Sequence, residues 1–155
     1  MARTHDAAPR RADVLRRVVE ETNARRDGVL PMDLPGVGQT FGDELDLIAA
    51  LQLRWHTWLS GRIEQSLSEH PTDLEHAVLS AWRDTAGELD GVRRVLDRYT
   101  EQPTSAEMER ALRTSRRKDW TLMAAMAGIA GVDDERAVGW GRKLEQQARA
   151  LTLAA

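Results

Sequence analysis

The chain has 155 residues, with 22 basic and 25 acidic side chains, a formal net charge of −3 and no cysteine. This length suits one domain with a single core and is too short for two of ordinary size. The absence of cysteine from the sequence excludes disulfide frameworks, thiolate zinc sites, iron–sulfur ligation and cysteine nucleophiles. We therefore expect one domain over residues 1–155, with fraying at residues 1–7 and 153–155.

The basic residues are arginines except for Lys118 and Lys143, a bias typical of GC-rich bacterial genomes. The first residues carry charge but no apolar stretch of the kind that a secretory signal needs. The longest apolar run, residues 122–132, is far shorter than the roughly 20 residues that cross a bilayer. We expect a cytoplasmic bacterial protein that makes no contact with membranes.

The first predicted helix covers residues 8–26, where apolar residues recur with helical spacing and Gly28 ends the pattern. The next segment, residues 28–39, holds two prolines and three glycines, which exclude regular structure. Its valines, leucines and methionine are too apolar for a free linker. We expect this segment to lie against the helices as a strap.

A long second helix is predicted from about Thr40 to Ser68, where His70 and Pro71 interrupt the pattern. Its apolar residues occupy about half of the circumference, which requires at least two helices to cover it. Three capping pairs indicate where the second, third and fifth helices begin: Thr40 with Asp43, Thr72 with Glu75, and Thr104 with Glu107.

The remaining breaks are glycine-rich or proline-containing. Gly87 and Gly91 separate a third helix from a short fourth one, and Pro103 follows the fourth. The fifth helix is predicted to reach Gly131, and Asp133 to cap a sixth. No run of alternating β-branched residues predicts a strand. The predicted fold class is all-α, a compact single-domain bundle of about five to six helices with one long central helix.

Five tryptophans against a single phenylalanine predict a tryptophan-rich core. From their places in the helical stripes, we expect Trp58 and Trp82 in the core and Trp120 half buried. Trp140 lies between two glycines, which indicates a close helix contact. Trp55 shares a helix face with Arg62.

Charged residues interrupt the apolar stripes at three places. Asp119 falls in the apolar seam of the fifth helix, while Arg62 and Glu44 project from the strip of the long helix that carries Trp55 and Trp58. A buried charge is expensive unless it is paired. We predict that Asp119 pairs with Arg62 or with the indole N–H of Trp55 or Trp58. Such a cluster is either an ion pair that sets helix register or a polar pocket.

A candidate ligand site follows from that cluster, made of Trp55, His56, Trp58, Arg62 and Asp119. His56 lies at the edge of the apolar arc, close to the charged strip. A carboxylate with a shifted pKa in such a pocket would suit acid–base work or ligand binding. Glu44 has the simpler interpretation of a first-turn residue that complements the helix dipole.

The sequence contains few signals for a metal site or a catalytic motif. His70, Asp73 and His76 could hold a divalent cation at the start of the third helix, although this spacing is nonspecific. The sequence has no phosphate loop with lysine, no nucleophile elbow and no zinc-protease pair. We therefore expect no cofactor and favour a protein without enzyme activity, with an enzyme based on the cluster around Asp119 as a further alternative.

A candidate interface involves the last two helices, at Met126, Gly139, Trp140 and Gly141, where small residues permit close approach. The leading functional hypothesis is a protein-interaction or self-assembly module, with a homodimer as the expected form. The alternatives are a small-ligand or metal sensor with an interior pocket, and nucleic-acid binding through the basic first helix. The net negative charge argues against a dedicated nucleic-acid binder.

Overall fold

The computed structural model describes residues 10–154, and this part of the chain is built from helices without strands. In chain order they are α1 (Arg11–Arg25), α2 (Val37–Phe41), α3 (Glu44–Glu69), α4 (Leu74–Glu88), α5 (Asp90–Glu101), α6 (Ala106–Met126) and α7 (Ala137–Ala154). The predicted all-α class is confirmed. The predicted start of the first helix at residue 8 lies outside the described residues.

The described residues form seven helices, so the predicted number of about five to six is matched only roughly, and the additional element is α2. This helix of five residues lies inside the segment predicted as a strap without regular structure. Gly36 and Gly42 flank it with positive φ angles of 86° and 74°. Glycine adopts this left-handed conformation without steric cost, so these two residues begin and end a helix where we expected glycine to prevent one.

The strap segment lies against the helices through its apolar side chains. Leu30 and Val37 are buried, as is Phe41 at the end of α2. Met32 and Leu34 are partly buried against the same core. The segment therefore contributes to the core although most of it is irregular.

Three helices begin at residues other than the predicted caps. Asp43, Asp73 and Ser105 accept hydrogen bonds from the backbone N–H groups three residues further on, at the starts of α3, α4 and α6. Thr72 and Thr104 each stand one residue before the observed cap, and Thr40 lies within α2. Aspartate and serine cap at least as well as threonine. Where two capable residues are adjacent, the pattern alone does not decide between them.

Helix α3 has 26 residues and contacts α1, α2, α4, α5 and α6. One side of it is buried along its whole length, through Leu47, Ile48, Leu51, Trp55, Leu59 and Ile63. Trp55 packs edge-to-face against Trp82 of α4, with ring centroids 5.7 Å apart. Burial of aromatic and aliphatic side chains on this scale is the main stabilising contribution to such a core.

Two helix pairs cross with their backbones in contact. A Cβ atom at Gly91 of α5 would overlap the carbonyl group of Thr22 in α1, and one at Gly141 of α7 would overlap that of Trp120 in α6. Only a residue without a side chain permits this approach. We predicted that Gly91 helps to separate two helices. The break between α4 and α5 instead falls at Leu89, and Gly91 lies within α5.

Helix α6 ends at Met126, and α7 starts at Ala137, so the predicted helix ending at Gly131 and the predicted cap Asp133 are both wrong. The intervening residues form turns. Val132, the last residue of the longest apolar run, is consequently exposed in these turns. Across residues 10–154, every helix is either too short or too polar to pass through a membrane.

Two of the tryptophan predictions are wrong. Trp58, expected in the core, is 41% exposed, and its indole N–H donates to Oε2 of Glu88 at 2.5 Å. Trp120, expected to be half buried, is 9% exposed because α7 packs over it, and its indole N–H donates to Oε1 of Glu145 at 3.1 Å. Periodicity within one helix cannot indicate which side the next helix covers.

Candidate functional site

Asp119 is buried in α6, and the side chain that pairs with it is His56 of α3. Nδ1 of His56 and Oδ1 of Asp119 lie 2.7 Å apart. Asp119 is 3% exposed, whereas the side chain of His56 is 36% exposed. The pair therefore connects a carboxylate in the core to an imidazole at the surface.

The predicted partners of Asp119 are wrong. Arg62 forms an ion pair with Glu88 at the end of α4, and Trp58 donates to the same carboxylate. The indole N–H of Trp55 is buried without a hydrogen-bond partner among the described residues. Glu44, the third charge in the predicted strip, accepts a hydrogen bond from the hydroxyl group of Tyr99 at 2.7 Å.

The five residues of the predicted ligand site therefore separate into three groups. Trp55 lies wholly in the core, with the Arg93 guanidinium 4.4 Å from the centre of its ring. His56 and Asp119 form the ion pair between α3 and α6. Trp58 and Arg62 lie together on another surface of α3, beside Glu88 of α4.

Burial and charge shift the pKa values of both members of the pair. Burial raises the pKa of Asp119, and the hydrogen bond from His56 opposes that rise. The hydrogen bond to Asp119 raises the pKa of His56, against a lowering by partial burial and by the positive charge of Lys118. A raised histidine pKa favours the imidazolium form near neutral pH. In that form Nδ1–H donates to the carboxylate, and the second ring nitrogen also carries a proton.

His56 also lines an open groove of about 910 Å³ beside α6 and the start of α7. Nε2 of His56 makes no hydrogen bond to another part of residues 10–154. The groove combines hydroxyl, basic, acidic and apolar side chains, including Thr114, Lys118, Thr121, Leu122, Val132 and Asp133. A proton-donating group thus borders a space large enough for a small molecule.

Arg93 is a functional candidate that sequence reasoning missed. This arginine of α5 is 7% exposed and stacks on Trp55. Its Nε donates to Oδ1 of Asp97 at 3.0 Å. The sequence did contain a signal for the burial of Arg93. Leu89 lies four residues before it and Leu96 three residues after it, a spacing that places all three on the buried face of α5.

The predicted metal ligands His70, Asp73 and His76 do not form a metal centre. The rings of His70 and His76 pack edge-to-face with centroids 4.9 Å apart, while Asp73 caps the backbone N–H of His76. Within residues 10–154, no group of three or more histidine, aspartate or glutamate side chains is arranged to hold a metal ion.

The four candidate interface residues have different surroundings. Gly141 is buried against the backbone of Trp120, so it serves contact within the monomer. Gly139 faces open space, and Trp140 is 41% exposed with the Lys143 ammonium group 4.6 Å from its ring centre. Met126 is partly exposed at the end of α6.

Comparison with known proteins assigns no family to this chain. No protein-family model, no curated protein and no solved structure matches it.

Proposed function

We propose that this protein binds a small organic anion in the groove beside His56, and that the His56–Asp119 pair supplies the proton shared with it. The observation that carries the proposal is a buried carboxylate paired with a histidine that opens onto a groove. An ion pair of this kind is weak evidence for stability, because apolar residues can replace it without loss. Perturbed titratable groups beside a cleft are more typical of functional sites.

The chemistry of the groove favours a ligand with an acceptor group next to an apolar part. An imidazolium held at Nδ1 by Asp119 presents Nε2–H as a charged donor, which suits a carboxylate acceptor. Leu122, Val132 and Val138 line the same groove and would contact an alkyl or aryl group. Arg117 and Lys118 add positive charge at the lining, where Asp133 and Glu135 oppose it and Asp134 is paired with Arg136.

Titration of the His56 ring by NMR, with sodium butyrate as the probe, tests this function. Butyrate should raise the pKa of His56 further and shift its ring signals to saturation. Asp119→Asn removes the charge that favours imidazolium, so butyrate should bind this variant at least about tenfold more weakly, equivalent to about 1.4 kcal/mol.

His76→Gln is the matched control, because it removes a histidine of α4 whose ring hydrogen-bonds to Ser80 and packs on His70. This variant should respond to butyrate as the unmodified protein does. Unchanged His56 signals in butyrate, or equal binding by Asp119→Asn with helicity retained, would disprove the proposal.

A second candidate is self-association through α7. Trp140 and Leu151 are both exposed and lie eleven residues apart, which places them within about 20° on the helix. Exposed large apolar side chains in one row favour contact with another apolar surface. The proposed occupant is a second copy of the same helix, since a self-complementary row is what a two-fold dimer requires.

The basic first helix supports nucleic-acid binding less than the groove beside His56 supports a small ligand. Arg11 and Arg25 of α1 form ion pairs with Asp46 and Glu21 at 3.0 and 2.8 Å. Charges compensated in this way contribute little to attraction of a phosphate backbone.

A further inference from the structure

A second groove, on a different side of the molecule, is lined by five arginines. It has a volume of about 650 Å³ and lies where the end of α1 meets α4, α5 and α7. Its arginines are Arg26, Arg83, Arg93, Arg94 and Arg149. The acidic side chains that line it are Glu88, Asp90 and Asp97. A protein with a net charge of −3 thus has a local excess of positive charge here.

One carboxylate forms ion pairs with two arginines at the α1 end of this groove. Oδ2 of Asp90 lies 2.5 Å from Nε of Arg26 and 3.2 Å from Nε of Arg94. One negative charge cannot neutralise two guanidinium groups. This end of the groove therefore keeps one uncompensated positive charge.

The α7 end is held rigidly by Asp97, which accepts from Arg93 at 3.0 Å and from both terminal nitrogens of Arg149 at 3.0 and 2.9 Å. Burial alone would raise the pKa of Asp97, but the two arginines outweigh it and the pKa lies below its ordinary value. Arg149 also pairs with Glu145 at 3.0 Å. This cluster is neutral and fixes the orientation of its arginines.

Arg83 is the arginine of the groove that lacks an acidic partner within residues 10–154. None of the ion pairs in this part of the chain includes it. Its Nε is buried and makes no hydrogen bond. A buried donor without an acceptor is destabilising, so nothing in this part of the chain compensates the charge of Arg83.

Glu88, the third acid of the groove, is neutralised by Arg62 from α3. The Arg62–Glu88 pair and the Asp97 cluster are each neutral, so they add no net charge to the groove. Two positive charges remain: one from the two arginines that share Asp90, and one from Arg83. A phosphate monoester carries about −1.5 to −2 charges near pH 7. The excess charge of the groove therefore matches that of a single phosphate group.

We propose that this groove binds the phosphate group of a small phosphorylated molecule. The planar guanidinium group suits bidentate contact with phosphate, and arginines already held in place lose little entropy on binding. Ala86, Gly87 and Leu153 line the same groove and would contact the organic part of the ligand. A volume of about 650 Å³ lies within the roughly 300–1,000 Å³ typical of small-molecule sites, which favours a free metabolite over a macromolecule.

Isothermal titration calorimetry of the full chain tests the proposal, with glycerol 3-phosphate and pyrophosphate as probes and glycerol as the phosphate-free comparison. Both probes should bind with saturation, and glycerol should not. Arg83→Gln should weaken binding of both at least about tenfold. This variant breaks no ion pair, so it should fold normally.

Arg113→Gln is the matched control, because it removes the same charge from an exposed residue of α6 that pairs with Glu109. It should bind both probes as the unmodified protein does. Absence of binding, or equal weakening by Arg83→Gln and Arg113→Gln, would refute the site. Binding to phosphatidic acid vesicles without binding to either soluble probe would assign the arginines to a membrane surface and would also overturn the proposal. Butyrate binding at His56 is measured independently, so either proposal can fail alone.

Discussion

Asp119 and His56 illustrate how one buried carboxylate determines the behaviour of its partner. Asp119 is almost fully enclosed, and the imidazole 2.7 Å away extends to the surface. The hydrogen bond stabilises the charged form of His56, so the folded state binds a proton more tightly at this ring than the unfolded chain does. The stability of the protein should therefore depend on pH through this residue.

The sign of that dependence follows from the raised pKa of His56. The stabilisation is fully present below the unfolded histidine pKa of about 6.5 and is lost as pH rises through the higher folded value. We predict that His56→Gln lowers the free energy of unfolding by about 1.5 kcal/mol near pH 6 and by clearly less near pH 9. Urea denaturation at both pH values measures this. A difference that stays constant or grows with pH would contradict the assignment.

At this scale the sequence indicated the unusual positions of Asp119 and His56 but not their pairing. Helical spacing identified Asp119 as a charge in an apolar seam and His56 as a residue at the edge of one. Their pairing depends on how α6 is rotated and shifted against α3, which no pattern within either helix specifies. Arg62 instead meets Glu88, at the end of a helix where no signal indicated a partner.

Among the helices, the crossing of α6 and α7 shows how similar residues take different roles. Gly139 and Gly141 stand on either side of Trp140, and the sequence alone treats them alike. Gly139 faces open space, whereas Gly141 meets the backbone of α6 at Trp120. One of these glycines is required by packing, and the other costs helix stability.

Alanine substitutions should separate the two glycines. Gly139→Ala should raise the free energy of unfolding by about 0.5–1 kcal/mol, because alanine is the better helix former. Gly141→Ala should lower it by about 3 kcal/mol, because the added methyl group overlaps backbone atoms that cannot move aside alone. Chemical denaturation of the two variants checks both signs. Effects of equal size and sign would show that the crossing is looser than described.

The helices themselves were predictable, while their ends were less so. Apolar periodicity indicated α1 and α3 to α7, because burying a stripe is what forms them. The caps were misplaced at Thr72 and Thr104 because the next residue in each case caps equally well. Helix α2 was missed since its flanking glycines indicated only a loop.

Considered as a whole, the molecule has three candidate surfaces that are formed by different residues. The groove beside His56 lies along α6 and the turns before α7. The groove lined by five arginines lies between α4, α5 and the ends of α1 and α7. The exposed row of Trp140 and Leu151 runs along α7. Ligand binding and self-association can therefore be tested one at a time.

Sedimentation equilibrium tests self-association through α7. We predict a monomer–dimer equilibrium at micromolar concentrations, shifted toward monomer by Trp140→Ser, because that change removes the largest exposed apolar side chain of the row. Trp58→Ser is the matched control, since Trp58 has the same 41% exposure on α3. A monomer at all concentrations, or equal weakening by both variants, would exclude this interface.

The two backbone contacts also define what a distant relative of this protein must keep. Most core positions of a helical protein accept several apolar residues, so their identities drift apart as sequences diverge. Gly91 and Gly141 do not have that freedom, because any side chain at either place would push two helices apart. A chain that has lost most of its resemblance should still carry glycine at both crossings.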